Sequence, residues 1–446
     1  MMTAEALTCR LNDFDANKRR QALQRLVAET HFPVSGSNFN MHCHSFFSYN
    51  AEGWSPTRVA YECRRKGLSA AGLCDFDVLD GLDEFLEAGH LLGLRSTVHL
   101  ETRAYVAELS EKDISSPGEP GVTYIMGCGF ARVPNPETAQ SKTLAQLRKG
   151  AQSRNLALIN RVNTALPAVA IDYDRDVLPL TPKDVATERH IVRAYCNQAD
   201  KIFPDIAERA AFWAPLLKCN ETAFAVIDAD IPKLEDLVRN ALAKRGGIGY
   251  SQPTAKTFPL ADDFIRWVLS CGAIPTIAWL DGTSDGEANC DRLLDLMTAK
   301  GCAALNIIPD RNWNLKKQEE AEAKRAKLDQ MVNACVKRHL PINVGTEMNK
   351  GGLPFVDDLA GPVLRHYAAV FTQGMYIMIG QSLLARYANA PYLGERAQHE
   401  FKDLKKRNAF FASVGALPPL DARGEEVLLA AGPDKAFTMF ADAVRA

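Results

Sequence analysis

From residue 38 to residue 105 short apolar runs alternate with helical patterns, and that order limits the possible fold more than any other feature of the chain. Residues 38–42 read as a strand. Ser55-Pro56 then opens a helix to about Lys66, with serine as its cap and proline at the first helical position, and Gly67 ends it. Residues 68–74 form a buried-strand run, a helix spans 83–92, and 97–105 is a third strand. Such β-α-β-α-β order predicts a parallel sheet with helical crossovers. The alternation breaks near residue 106, where a Gly/Pro-rich turn (116–121), a short strand (122–126) and several helices follow. It resumes with a helix at 261–270, a strand at 273–279, a helix at 286–300, a strand at 303–308, a charged helix at 315–337 and a strand at 341–344.

The expected organisation is therefore one split β/α barrel, residues 36–105 and 258–354. A helical N-terminal extension (1–35) precedes it, an α+β insertion (106–257) interrupts it, and a helical segment (355–446) follows. A chain of 446 residues has room for two or three such units. Composition is that of a soluble globular protein, 47% hydrophobic and 24% charged. A formal net charge of -2 with interspersed signs argues against a dedicated nucleic-acid or membrane surface. There is no run of eighteen apolar residues, and Glu5, Arg10 and Asp13 break up any signal peptide. Eleven cysteines without a Cys-x-x-Cys pair predict reduced, mostly buried thiols and a cytoplasmic location.

The chemistry is concentrated at His42-Cys43-His44. Side chains two apart on a strand face the same way, so His42 and His44 present two imidazoles together, as a divalent transition metal requires. The pair alone is a weak signal, since many such pairs are loop or core histidines. No Gly-x-Gly-x-x-Gly or phosphate-loop pattern supports a nucleotide cofactor.

Taken with Ser55-Pro56, Lys66-Gly67-Leu68, the run from Gly72 to Gly81 (GLCDFDVLDG) and His99-Leu100-Glu101, this stretch resembles the polymerase-and-histidinol-phosphatase (PHP) family of metal-dependent phosphoesterases. The resemblance implies a distorted, TIM-like barrel of seven parallel strands holding up to three metal ions at the carboxyl ends of the strands, where β/α folds place their sites. Carried over by motif, one ion would use His42, His44, Glu101 and Glu347, the last standing where the family usually has aspartate. A second ion would fall to Tyr49 or Asn50, Phe76 and Asn349, none a good ligand. A third would need histidines where Trp279 stands, with Asp281 two residues on, and a further one for which His190 is the candidate. The resemblance thus implies one ion or two, not three, with zinc, manganese or iron all compatible.

Other residues carry open alternatives. Glu101 has as its rival role an ion pair with Arg103, and His99 reads as a packed core histidine or an extra ligand. Asp75, Asp77 and Asp281 can orient a histidine, replace a missing imidazole or cap a helix. Arg103, Arg189, Lys183 and Asp310, the last beside Arg311, are candidate substrate contacts, with ordinary surface charge as the alternative. The expected function is a metal-dependent hydrolase acting on a small phosphate ester through an activated water. The alternative is a PHP-like barrel that no longer catalyses and serves as a binding or scaffold module.

Overall fold

A computed structural model describes residues 2–445 of the chain. Seven strands form one sheet in sequence order: β1 (Phe39–Cys43), β2 (Ala70–Phe76), β3 (Arg95–Tyr105), β4 (Val122–Cys128), β5 (Ile274–Trp279), β6 (Ala304–Ile307) and β7 (Ile342–Val344). β1, β5, β6 and β7 are buried at every position, mostly by apolar side chains, with Asn40, His42, Thr276, Asn306 and Asn343 as their buried polar members. The helix Pro56–Arg65 starts as expected, with Ser55 Oγ accepting from the Arg58 N–H at 3.0 Å.

The sheet curls until its ends nearly meet. Beyond β7, the Glu347 N–H donates to the His42 carbonyl at 2.8 Å and the His44 N–H to the Glu347 carbonyl at 2.9 Å, a parallel bridge from Cys43 to Glu347. Gly345 makes the closure possible, because a Cβ there would lie 2.4 Å from both His42 N and Asn40 Oδ1.

One expectation is corrected. β4 runs antiparallel to both β3 and β5, so the barrel is not all-parallel. The connection 106–121 contains only a 3-10 turn, Ala107–Leu109, in place of a crossover helix, and the chain returns at the end it left. The segment 106–257 therefore contributes a barrel strand as well as its helices. From the far end of β4, the 27-residue helix Ala139–Ala165, about 40 Å long by its rise per residue, leads back to the carboxyl ends of the parallel strands. Its Leu144 and Leu147 join the barrel core, whereas Leu158, Ile159 and Val162 join a second core around Trp213, Phe224 and Val238. This second core lies over the barrel mouth.

The N-terminal helices Ala4–Arg10 and Ala16–Glu29 bury Leu7, Leu11, Leu23 and Leu26 in the barrel core, and Arg19 pairs with Glu84. In the C-terminal segment the helix Ala368–Tyr387 packs on β7 and on the helix Leu404–Ala416. That helix is long and apolar enough to cross a membrane by composition, yet 61% of its apolar window is buried inside the protein. All eleven cysteines are free.

Candidate metal centre

His42 is the penultimate residue of β1, His44 follows just beyond the strand's end, and Glu101 enters from β3. One ligand atom from each lies within 4.8 Å of the others, and all three residues are buried. Glu101 Oε2 stands 3.6 Å from His42 Nε2 and 3.5 Å from His44 Nε2, too far for hydrogen bonds, and neither Nε2 has a partner.

The far side of each ring explains which nitrogen faces inward. His44 Nδ1 lies 2.9 Å from Ser48 Oγ, and that hydroxyl donates to Asp75 Oδ1 at 2.6 Å. With its proton committed to the carboxylate, Ser48 accepts from His44 Nδ1–H. His42 Nδ1 lies 3.3 Å from Asn306 Oδ1, an acceptor that also receives Asn343 Nδ2 at 2.9 Å. Both imidazoles therefore carry their proton on Nδ1 and turn a bare Nε2 toward a carboxylate oxygen. Three acceptors converge without a donor, at buried positions, which is the arrangement a cation resolves.

The electrostatics differ between the two rings. Burial and the neighbouring His42 hold the His44 imidazole down to about 3, so it stays neutral. Burial also pulls His42 down, but Glu101 and Glu347 beside it outweigh this and the net direction is upward. Glu101 is itself raised, because its burial outweighs the help of His42. Asp75 is pushed up to about 6 by burial, against the hydrogen bonds from Ser48 and Ser45.

Glu347 lies beside this group, but among the described residues the three-ligand cluster does not include it. Both of its carboxylate oxygens accept from Arg311 Nη2, at 2.8 and 2.7 Å, and Oε2 also accepts from Asn349 Nδ2 at 3.1 Å. Burial alone would raise it, yet Arg311 and the two histidines bring it down to about 2. The backbone places Glu347 in the left-handed region, φ 65°, as the chain turns away from the closed sheet.

The positions without donors serve other ends. Phe76 stacks on His44 with ring centroids 4.9 Å apart. Asn50 holds the loop after β1, donating to the His44 carbonyl at 2.8 Å, and the Tyr49 hydroxyl donates to Glu235. His99 Nδ1 accepts from the Gly129 N–H at 3.0 Å, and its buried Nε2 abuts Gly72, where a Cβ would sit 2.8 Å away.

Several candidates lie elsewhere. His190 is at the start of the helix Glu188–Ile202, where its Nδ1 accepts from the Thr187 N–H at 3.0 Å as part of a capping box, outside the ligand group. Asp281 accepts from Thr283 N and Oγ1 and pairs with Lys324 at 3.0 Å, a turn rather than a site contact. Lys183 pairs with Asp80 at 2.8 Å and is 56% exposed, beyond the cavity wall. Asp77 accepts from Thr102 Oγ1 at 2.6 Å and lines the cavity, as do Arg103, Arg189 and Asp310. Arg103 pairs with Glu119, not with Glu101.

That cavity, about 840 Å³, opens over the ligand group between the barrel mouth and the second core. Its wall holds residues that sequence reasoning passed over, among them Arg154 and Arg239 of the capping helices. Ser48 and Asn306, which orient the two imidazoles, were missed as well. Ser48 had one local signal, its position four residues beyond His44; Asn306 had none.

No family model and no curated protein matches the sequence. Among solved structures, the chain is similar to a putative metal-dependent phosphoesterase from Bifidobacterium adolescentis, at 20% identity and TM-score 0.46, covering 75% of this chain and 97% of that one. It is also similar to an amidohydrolase from Chromobacterium violaceum with bound sulfate and no metal, at 16% identity and TM-score 0.46, covering 74% and 96%. At that level the likeness is one of loose element placement, and the chemistry rests on the side chains themselves.

Proposed function

We propose that the protein is a metal-dependent hydrolase of small phosphate esters, with a single divalent ion held by His42 Nε2, His44 Nε2 and Glu101. The observation that carries this reading is the convergence of three buried acceptors with no donor among them. A bound zinc, manganese or iron ion would supply Lewis acidity toward a phosphoryl oxygen and lower the pKa of a water. Ser48, Asp75 and Asn306 keep both imidazoles in the ligating tautomer. Arg311 is 38% exposed to the cavity and has N–H groups beyond those spent on Glu347, so it can hold a second phosphoryl oxygen and offset charge building there. Phe76 and Trp279 exclude water on the apolar side.

The test is metal analysis of purified protein with and without His42→Ala, together with an array of phosphate esters assayed with added manganese, zinc or iron. Bound metal lost in the variant, and turnover of at least one ester class, is the expected result. Metal bound without any turnover would leave a binding module, and no metal at all would remove both readings.

A further inference from the structure

Along the cavity wall away from the ligand group, positive charge exceeds negative. Arg103, Arg154, Arg239 and Lys244 line this stretch. Arg103 pairs with Glu119 at 2.7 Å, and Arg239 and Lys244 share the single carboxylate of Glu188, at 2.5 and 2.8 Å. Arg154 donates to the Thr257 carbonyl at 3.2 Å, and among the described residues no carboxylate lies within 4.0 Å of its guanidinium. The guanidiniums of Arg103 and Arg154 both lie over the buried ring of Phe258, 4.7 and 4.6 Å from its centroid. Burial pulls Arg154 down to about 10, with the nearby Arg103 adding to this and Asp77 working against it. Asp77, the next acid along the wall, has Oδ1 taken by Thr102.

The aromatic face fixes both cations; Arg103 is also paired with Glu119, whereas Arg154 has no ion-pair partner among the described residues. Planar guanidiniums with free N–H groups are suited to bidentate binding of a phosphate or carboxylate. Their position relative to the ligand group is set by the strand. Arg103 follows Glu101 by two residues on the same face of β3, so the two Cα atoms stand about 7 Å apart. Tyr124 lies opposite Arg103 in the register of β4, and its ring is 6.0 Å from that of Phe76, giving an aromatic wall between the two ends.

We infer that Arg103 and Arg154, braced on Phe258, form a second oxyanion site, so that the substrate is a doubly anionic molecule. The scissile phosphate ester lies at His42, His44 and Glu101, and a second phosphate or a carboxylate lies at the arginine pair. This rests on the hydrolase reading for the identity of the first group, but the site itself can be tested without turnover.

In chelator-treated full-length protein, inorganic phosphate and malonate are titrated by calorimetry into the unaltered chain, Arg154→Met and His42→Ala. Arg154→Met is expected to weaken binding at least tenfold, with His42→Ala within twofold of the unaltered chain. Tighter phosphate binding identifies the second group as a phosphate, and tighter malonate binding as a carboxylate. Binding of neither probe overturns the inference, as does equal binding to the unaltered chain and Arg154→Met. Arg154→Lys, which keeps the charge and loses the fork, controls for misfolding and is expected to bind at intermediate strength. Metal content measured on the same preparations before chelation reports separately on the His42 centre, so failure of one does not imply failure of the other.

Discussion

Arg311 donates from one nitrogen to both carboxylate oxygens of Glu347, at 2.8 and 2.7 Å, beside three buried ligand atoms. The pair places a fixed cation at the rim of the centre and withholds a carboxylate from it. An ion held by His42, His44 and Glu101 would have to compete with Arg311 to gain Glu347 as a further ligand, and the pair keeps a donor on the cavity side.

Replacing Arg311 by methionine separates these effects. Freed of its partner, Glu347 becomes available as a fourth anionic ligand, and metal affinity is expected to rise about tenfold, roughly 1.4 kcal/mol. Turnover is expected to fall about a hundredfold, because a positioned donor to the developing phosphoryl charge is gone. Competition against a chromogenic chelator measures the first and initial rates the second. Unchanged affinity would mean that Glu347 cannot reach the ion.

Ser48 carries the proton logic of the centre. Removing its hydroxyl leaves His44 Nδ1 without an acceptor and Asp75 without one of its donors, so the ligating tautomer is no longer enforced. Ser48→Ala is expected to weaken metal binding about 10- to 100-fold while the fold survives, as for other residues that orient a ligand. Chelator competition and circular dichroism on the same sample check both halves of the statement. Undiminished affinity would place the control of His44 in its packing on Phe76 instead.

What the sequence allowed depends on the range of the interaction. His42 and His44 were legible as a pair because strand periodicity puts them on one face, while Glu101 was legible only through the resemblance of the surrounding motifs to the PHP family. The order of the strands at 274–279, 304–307 and 342–344 was legible as buried apolar runs between capped helices. The direction of β4 was not, since an apolar run has no polarity of its own and the connection before it decides. Ser48, Asn306 and Arg311 act across gaps closed only by folding. His190 and Asp281 did carry local warnings: Thr187 stands three residues before the first, and Thr283 two after the second, spacings typical of a helix cap and a side-chain turn.

Acid should empty the centre in a defined way. His42 and Glu101 are both held above their ordinary values, while His44 is already neutral near neutrality. Metal competes with protons for the first two, so apparent affinity rises with pH. It is expected to fall about tenfold per pH unit for each proton displaced, beginning below the raised value of His42 and steepening toward that of Glu101. Chelator competition between pH 5 and 8 gives the slope. A flat profile across pH 5–7 would show that neither group binds the ion.

Gly345 links the closure of the barrel to the chemistry inside it. A methyl at this position would come within 2.4 Å of His42 N and Asn40 Oδ1 and 2.7 Å of His42 Cβ, so the strand carrying the first ligand must shift. Asn40 also holds Thr346 at 2.8 Å and the Phe355 carbonyl at 2.8 Å, so little slack exists on that side. Gly345→Ala is expected to destabilise the fold by about 1–3 kcal/mol through overpacking. Metal affinity should fall further than that of a control such as Gly36→Ala, whose Cβ would meet nothing closer than the Gly67 carbonyl at 3.6 Å. Urea unfolding and chelator competition give the two numbers. If stability drops while metal affinity holds, the ligand geometry does not depend on the β1–β7 seam.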